Sequence, residues 1–361
     1  MTTSPFTVVA RTPGATTLRV EAFAGPGAEW DACVLAGSEW THFHRWGWKA
    51  VIEQVFGHEC IYLAARDEVG RVVGVLPLVR AKSLIFGDYL VSMPFLNYGG
   101  PLGSEPAVRA LTSHAVGLAV ERRVDLLELR SRGPLPVDLP VSHRKITCLL
   151  DLSAGDSEGV WQRLTSNVRR KVRRAQKEGI TVTFGPDQVS AFYQVFSRHM
   201  RDLGTPTLPL RLFATLVERF PEDTWLGCAY YQGRPVAGGC GFRWGGEFEL
   251  TWVSALQEYH HIYANMLLYW AFIERAARQG LSVFNFGRCT PGGGTHRFKQ
   301  QWGSRDLPLM WYQLVGGGLG GRRNATPSPH ERAFAWGPFV WKRLPLAVAN
   351  YLGPAIVRLI P

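Results

Sequence analysis

None of the six cysteines stands in a CxxC spacing, so neither a zinc ribbon nor a dithiol redox motif is written into the chain. Most sit among apolar neighbours, as Cys148 does in ITCLLDL, which predicts reduced, buried thiols and a cytosolic compartment. The start, MTTSPFTVVARTPG, lacks a charged segment followed by an apolar one, so no signal peptide is expected. No stretch of about 18 uncharged apolar residues occurs, and no spanning helix is expected. GxSxG, a Walker loop and a paired Cys/His nucleophile motif are all missing. His42, His44 and the pair His260–His261 lack partners at zinc-like spacing, so no metal site is expected.

What is present is length, apolar content and positive charge. At 361 residues, 46 % of them hydrophobic, the chain exceeds what a single growing core accommodates, and two compact units are the default. Lys and Arg number 40 against 29 Asp and Glu, a net +11. That sign favours phosphate-bearing or membrane-surface partners.

The chain reads twice in one order. CIYLAARDEVGRVVGVLPLVRA is two strands turning at Glu68–Gly70; AVRALTSHAVGLAVERR has helical spacing; VDLLELRS is a strand. In the second half TWLGCAYYQGRPVAGGCGFRW turns at Gln232–Gly233, FELTWVSAL is a strand, NMLLYWAFIERAARQG is a helix stopped by Gly280, and LSVFNFGR is a strand. The repeat predicts an α/β (α+β) chain of two related units on mixed, mainly antiparallel sheets flanked by helices. The expected divisions are 1–145, 146–315, a Gly/Pro linker at 316–333 and an amphipathic segment at 334–361. That last segment carries Lys342, Arg343 and Arg358 and no acid. It suits either an anionic membrane surface or a cover over the first domain.

Two stretches concentrate chemistry. In PGGGTHRFKQQWG, residues 291–303, Gly293 and Gly294 precede a short helix that Thr295 could N-cap. Arg288 ends the strand before it. His296, Arg297 and Lys299 fall in the first turn, where cations oppose the helix dipole unless an anion is bound. The alternative is a solvated turn anchored by Phe298 and Trp302. In WQRLTSNVRRKVRRAQKEG, Trp161, Leu164, Val168, Val172 and Ala175 form an apolar stripe, and Arg169 and Arg173 lead a crowded basic face. That face is either simply solvated or relieved by a phosphate-rich partner. Glu249 shares a strand with Thr251 and Trp252; it could deprotonate an amine or sit in a rim salt bridge. Asn285, Tyr259, Asn265, Asn97 and Tyr98 complete the candidates, with a plain cap role equally open for Asn265.

The segments NVRRKVRRAQKEG, NMLLYW and FNFGRCTPGGGTHRFKQQWG, with the hairpin between them, resemble FemAB-like transferases of the GNAT-type acyltransferase superfamily. They are most similar to the FemAB-related proteins encoded with exopolysaccharide and exosortase (PEP-CTERM) systems. The resemblance spans roughly residues 40–315 and implies two tandem GNAT-like domains. It also implies N-acyl or N-aminoacyl transfer to an amine on a sugar- or lipid-linked envelope or exopolysaccharide precursor. No tightly bound cofactor is implied. The activated donor would be aminoacyl-tRNA, an acyl-carrier protein or acyl-CoA, handled in the cytoplasm with the C-terminal segment on the inner membrane face. Lys299 matches the lysine of the family's FK pair, which implies a role in the catalytic channel, stabilising an oxyanion or a donor phosphate. One departure concerns the connection SALQEYHHIYANMLL: it has no glycine where CoA-dependent relatives hold the pyrophosphate. The second domain is therefore not expected to hold CoA in the usual way, which leaves aminoacyl-tRNA, a carrier-protein thioester or CoA in altered geometry. An acyl-CoA or acyl-carrier enzyme acting on a small amine is the runner-up, and the missing loop keeps open a non-catalytic module in polysaccharide assembly.

Overall fold

A computed structural model describes residues 18–83, 86–152, 156–316 and 337–360. The chain divides into two compact units. One comprises residues up to His143 and a return segment from Leu309; the other comprises Arg144–Pro308 and the C-terminal helices. The linker at 316–333, but for Gly316, lies outside the described residues, as do Phe334 and Trp336.

The first unit runs β1 (Arg19–Ala22), α1 (Gly27–Ala36), α2 (Gly47–Phe56), β2 (Glu59–Arg66), β3 (Val72–Ser83), β4 (Gly87–Ser92), β5 (Leu102–Gly103), α3 (Glu105–Glu121), β6 (Leu126–Ser131) and β7 (Val141–Ser142). The second runs β8 (Ile146–Asp151), α4 (Ser157–Arg163), α5 (Ser166–Lys177), β9 (Thr181–Phe184), α6 (Val189–Leu203), α7 (Leu210–Arg219), β10 (Thr224–Tyr231), β11 (Arg234–Trp244), β12 (Glu247–Ala255), α8 (Ala264–Arg278), β13 (Val283–Cys289), α9 (Gly294–Gln300) and β14 (Arg305–Pro308). The chain then returns to the first sheet as β15 (Met310–Val315) and closes with α10 (Gly337–Trp341) and α11 (Leu346–Val357).

The strand orders are β1-β2-β3-β4-β6-β15-β7, with β5 beside β3, and β14-β8-β13-β12-β11-β10-β9. Among the described strands only β4/β6 and β12/β13 pair in parallel. Each unit thus repeats one plan: an antiparallel meander, a crossover helix and a parallel return. The crossovers follow from physics, since parallel strands need a long connection. In α8 the positions Leu268, Phe272, Ile273 and Ala276 recur at helical spacing and are all fully buried, which holds it on the sheet. Burying one such phenylalanine stabilises by about 1.5–3 kcal/mol. At the second hairpin Gln232 and Gly233 both take left-handed φ, 49° and 75°, as a two-residue turn matched to strand twist requires.

Three local expectations change. The basic stretch is two helices, because the Thr165 side chain accepts from the Val168 amide at 3.3 Å and starts α5 afresh. The strand at 310–315, read from sequence as part of the second domain, pairs residue by residue with β6 of the first sheet. The C-terminal helices pack on α6 of the second unit. There the Arg201 guanidinium donates to the Leu344 carbonyl at 3.2 Å.

Candidate functional site

The parallel pair β12/β13 holds register only from Glu247↔Val283 to Glu249↔Asn285. Beyond it both strands continue unpaired with each other, to Ala255 and Cys289. The crevice outside the carboxyl ends of such strands is a favoured place for ligands in α/β sheets. A buried polar network sits where they part. Glu249 is fully buried; it accepts from the Thr251 hydroxyl at 3.2 Å and from the Asn285 amide at 3.2 Å. The same amide donates to Glu247 at 2.7 Å. The Thr147 hydroxyl donates to the Asn285 carbonyl oxygen, which also accepts from the Gly287 amide at 2.8 Å. β8, β13 and β12 are therefore stitched together by polar side chains inside the sheet. A carboxylate held this way can take a proton from an amine brought between the diverging strands.

Past Asn285 the β13/β8 register skips a residue, resuming at Arg288↔Thr147, and Gly287 takes φ 72°. A bulge of this kind turns main-chain carbonyls away from the ladder. Lys299 meets them: its Nζ donates to the Gly287 carbonyl at 2.6 Å and the Arg288 carbonyl at 3.0 Å. Lys299 is 3 % exposed, and burial lowers its pKa from the ordinary lysine value. Its amine thus points at main chain, not at open space. Arg288 is half-buried beside it.

The glycine loop also differs in detail from the sequence reading. Gly293, not Thr295, is the cap of α9. The Gly292 amide donates to His296 Nδ1 at 2.9 Å, and the Gly293 amide to the Thr290 carbonyl at 3.2 Å, so both are used within the loop. His296 is buried and its Nε2 faces Asp306 at 2.8 Å. Since Nδ1 accepts an N–H, the proton is on Nε2 and is donated to the carboxylate. Gly294, Thr295 and Arg297 are exposed. Trp302 is buried, with the tilted rings of Phe298 and Tyr269 nearby.

Around α5, Arg173 lies over Trp161 at 5.5 Å and Arg174 over Tyr263 at 5.4 Å. Arg169 donates to Gln162 at 3.0 Å. The Lys171 amine donates to Gln301, just past α9, at 3.1 Å, which brings the basic helix to the glycine-loop helix. Asn265 lies inside α8 and does not cap it; Tyr263, at φ 59°, occupies the cap. Tyr259 packs against Tyr231, and Trp252 against Phe213 and Phe242. Asn97 and Tyr98 are buried in the first unit, where Tyr98 meets Phe43 at 5.5 Å and Arg132 at 5.2 Å. The sequence reading missed Thr147, Glu247 and Tyr263. Thr147, a lone hydroxyl inside ITCLLD, was the one with a visible signal.

Residues 162–300 match the family model described as Acetyltransferase (GNAT) domain. Sequence comparison with curated proteins gives no match. Among solved structures, FemX aligns at TM-score 0.61 with 13 % identity, over 81 % of this chain and 97 % of its own. L-PGS from Bacillus licheniformis aligns at 0.55 with 12 % identity, over 93 % and 97 %. A tandem GNAT protein from the clavulanic acid biosynthesis pathway aligns at 0.50 with 13 % identity, over 83 % and 99 %. The chain has the fold of the GNAT-type acyltransferases, built as two GNAT-like units in tandem.

Proposed function

We propose that the protein transfers an activated acyl or aminoacyl group to an amine on an envelope or exopolysaccharide precursor. The observation that carries this reading is the opening of β12 from β13 directly above the buried Glu249–Asn285 network. An amine lying there has a carboxylate to receive its proton, and the enzyme works by positioning the reactants. The FemAB-like resemblance of the sequence favours an aminoacyl donor. The match to an acetyltransferase family model favours a second reading, an acyl-CoA or acyl-carrier donor with a small amine as acceptor. The glycine-free connection here is a short helical turn, Gln257–Ile262, ending at left-handed Tyr263, which suits the first reading better.

The donor's phosphates are assigned to α5, where Arg169 and Arg173 have no carboxylate within ion-pair distance among the described residues. Native mass spectrometry of the purified protein should show a phosphate-bearing acyl donor bound. That species should dissociate steeply as salt rises. Arg169→Glu with Arg173→Glu should abolish retention and flatten the salt dependence. Equal retention by the doubly reversed chain would sink the assignment.

The same reading places the C-terminal helices on an anionic membrane surface. No described helix is long and apolar enough to cross a membrane. Yet Tyr351, Phe339 and Val340 are 82 %, 54 % and 56 % exposed, with Lys342, Arg343 and Arg358 in the same segment. Such a mixture suits the headgroup layer. The full chain should float with anionic liposomes and release at high salt, and Phe339→Asp with Tyr351→Asp should remain at the bottom of the gradient. Flotation unchanged by the pair of substitutions would count against membrane docking.

A further inference from the structure

β13, β8 and β14 lie side by side in the second sheet, in that order. On β8, Cys148 stands opposite Asp306 of β14, with its Sγ 3.7 Å from Asp306 Oδ1. Helix α9 adds His296, whose Nε2 is 2.8 and 3.0 Å from the two carboxylate oxygens. One donor atom from each of Cys148, His296 and Asp306 lies within 4.8 Å of the others. A tetrahedral zinc ion separates mixed S, N and O ligands by about 3.3–3.6 Å, given bonds of about 2.0–2.3 Å. Sulfur and carboxylate stand near that spacing, imidazole and carboxylate stand closer, at hydrogen-bond distance, and all three donors lie within 4.8 Å of one another.

We propose that Cys148, His296 and Asp306 form a binding site for a zinc-class divalent cation, which pins the glycine-loop helix to the sheet. One sulfur, one nitrogen and one oxygen make a donor set of borderline softness, which suits zinc better than calcium or magnesium. The side chain of Asp306 is 36 % exposed and supplies the way in, and solvent takes the fourth position. Cys289 supports the ligand sulfur: its Sγ is 3.6 Å from that of Cys148. Metal at His296 Nε2 moves the ring proton to Nδ1. The Gly292 amide, on an exposed turn, then gives up its bond to that nitrogen. The ion would tie β8, β14 and α9 together, fixing the loop that also carries Lys299.

The test is a Co²⁺ titration of the reduced, full-length protein purified without metal-affinity resin. The expected result is about one equivalent per chain, with thiolate-to-cobalt absorption in the near ultraviolet and intense visible bands of tetrahedral cobalt, both erased by Zn²⁺. Cys148→Ser and His296→Asn should lose stoichiometric binding while circular dichroism stays native. Cys289→Ser should still bind, about 10–100-fold more weakly, as when a supporting partner is lost. Should Cys148→Ser fail to fold, Asp306→Asn, at an exposed position, decides in its place by the same spectrum. A folded wild-type chain that stays colourless overturns the proposal, as does a cobalt spectrum that survives loss of Cys148 or of Asp306.

Discussion

Lys299→Ala is expected to lower transfer with the co-purifying donor by about 10²-fold, the scale of a small misplacement passed on from a positioning residue, and to destabilise the second unit as well. The structural reason is specific. The amine is the partner of two main-chain carbonyls at the β13 bulge. Truncation leaves both without it in a site closed to water, at about 1–3 kcal/mol for each buried group left unpaired. Lys299 as placed is a positioning residue: it holds Gly287 and Arg288, and through them the end of β13 beside the Asn285 network. Two substitutions separate this from direct contact with the reacting group. Lys299→Met keeps the buried stem and loses the donor; Lys299→Arg keeps donors in a wider head. If the lysine positions, Lys299→Met should lose stability and kcat together, while Lys299→Arg recovers part of both. The measurements are denaturant midpoints and single-turnover rates on the same preparations. A Lys299→Ala chain with unchanged midpoint and near wild-type rate would remove Lys299 from the site altogether.

Much of the architecture was legible because it is local. Both hairpins, the crossover helices and the glycine after α8 follow from periodicity and turn chemistry within about 20 residues. The FemAB-like resemblance added tandem units, and the fold has them. What was not legible depends on residues far apart in sequence. β15 sits beside β6 although nearly the whole second unit separates them, and no pattern in MWYQLV names its partner. Lys299 was picked out, but its inward aim is decided by a bulge at Gly287 that shows in register, not in composition. His296 is read from the sequence as one of three cations beside a bound anion. It is spent on Gly292 and Asp306, because Asp306 returns on β14, a strand too short to stand out. Cys148, His296 and Asp306 escaped any metal-spacing rule for the same reason: tertiary pairing, not sequence interval, brings them together.

The second large effect is expected in the first unit, at Arg130. This arginine is 2 % exposed and its partner Glu128 0 %, with Nε to Oε1 at 2.7 Å. The guanidinium also donates to the Leu96 and Met93 carbonyls at 3.0 and 3.4 Å, and it lies 4.5 Å over the Trp311 ring. Gln313 donates to the other carboxylate oxygen at 2.6 Å. Those carbonyls belong to a strained turn, with Met93 and Phe95 at φ 57° and 69°, and the turn leads into Asn97 and Tyr98. Arg130→Met takes the bonded guanidinium from the buried carboxylate and the clamp from the turn, so a loss of about 3–5 kcal/mol is expected, the cost of breaking a buried pair from one side. Converting Glu128 to Met in the same chain removes the stranded charge, and the double variant should regain much of that loss. It should not regain the turn, since Met93 and Leu96 still lack their donor. The two parts separate in the denaturant midpoint, which reports the charge, and in hydrogen exchange across residues 93–100, which reports the clamp. An Arg130→Met chain within about 1 kcal/mol of the parent, below the range for a buried pair, would show that the pair does not hold this unit. Exchange across 93–100 as slow in the double variant as in the parent would show that Arg130 is not what fixes the turn.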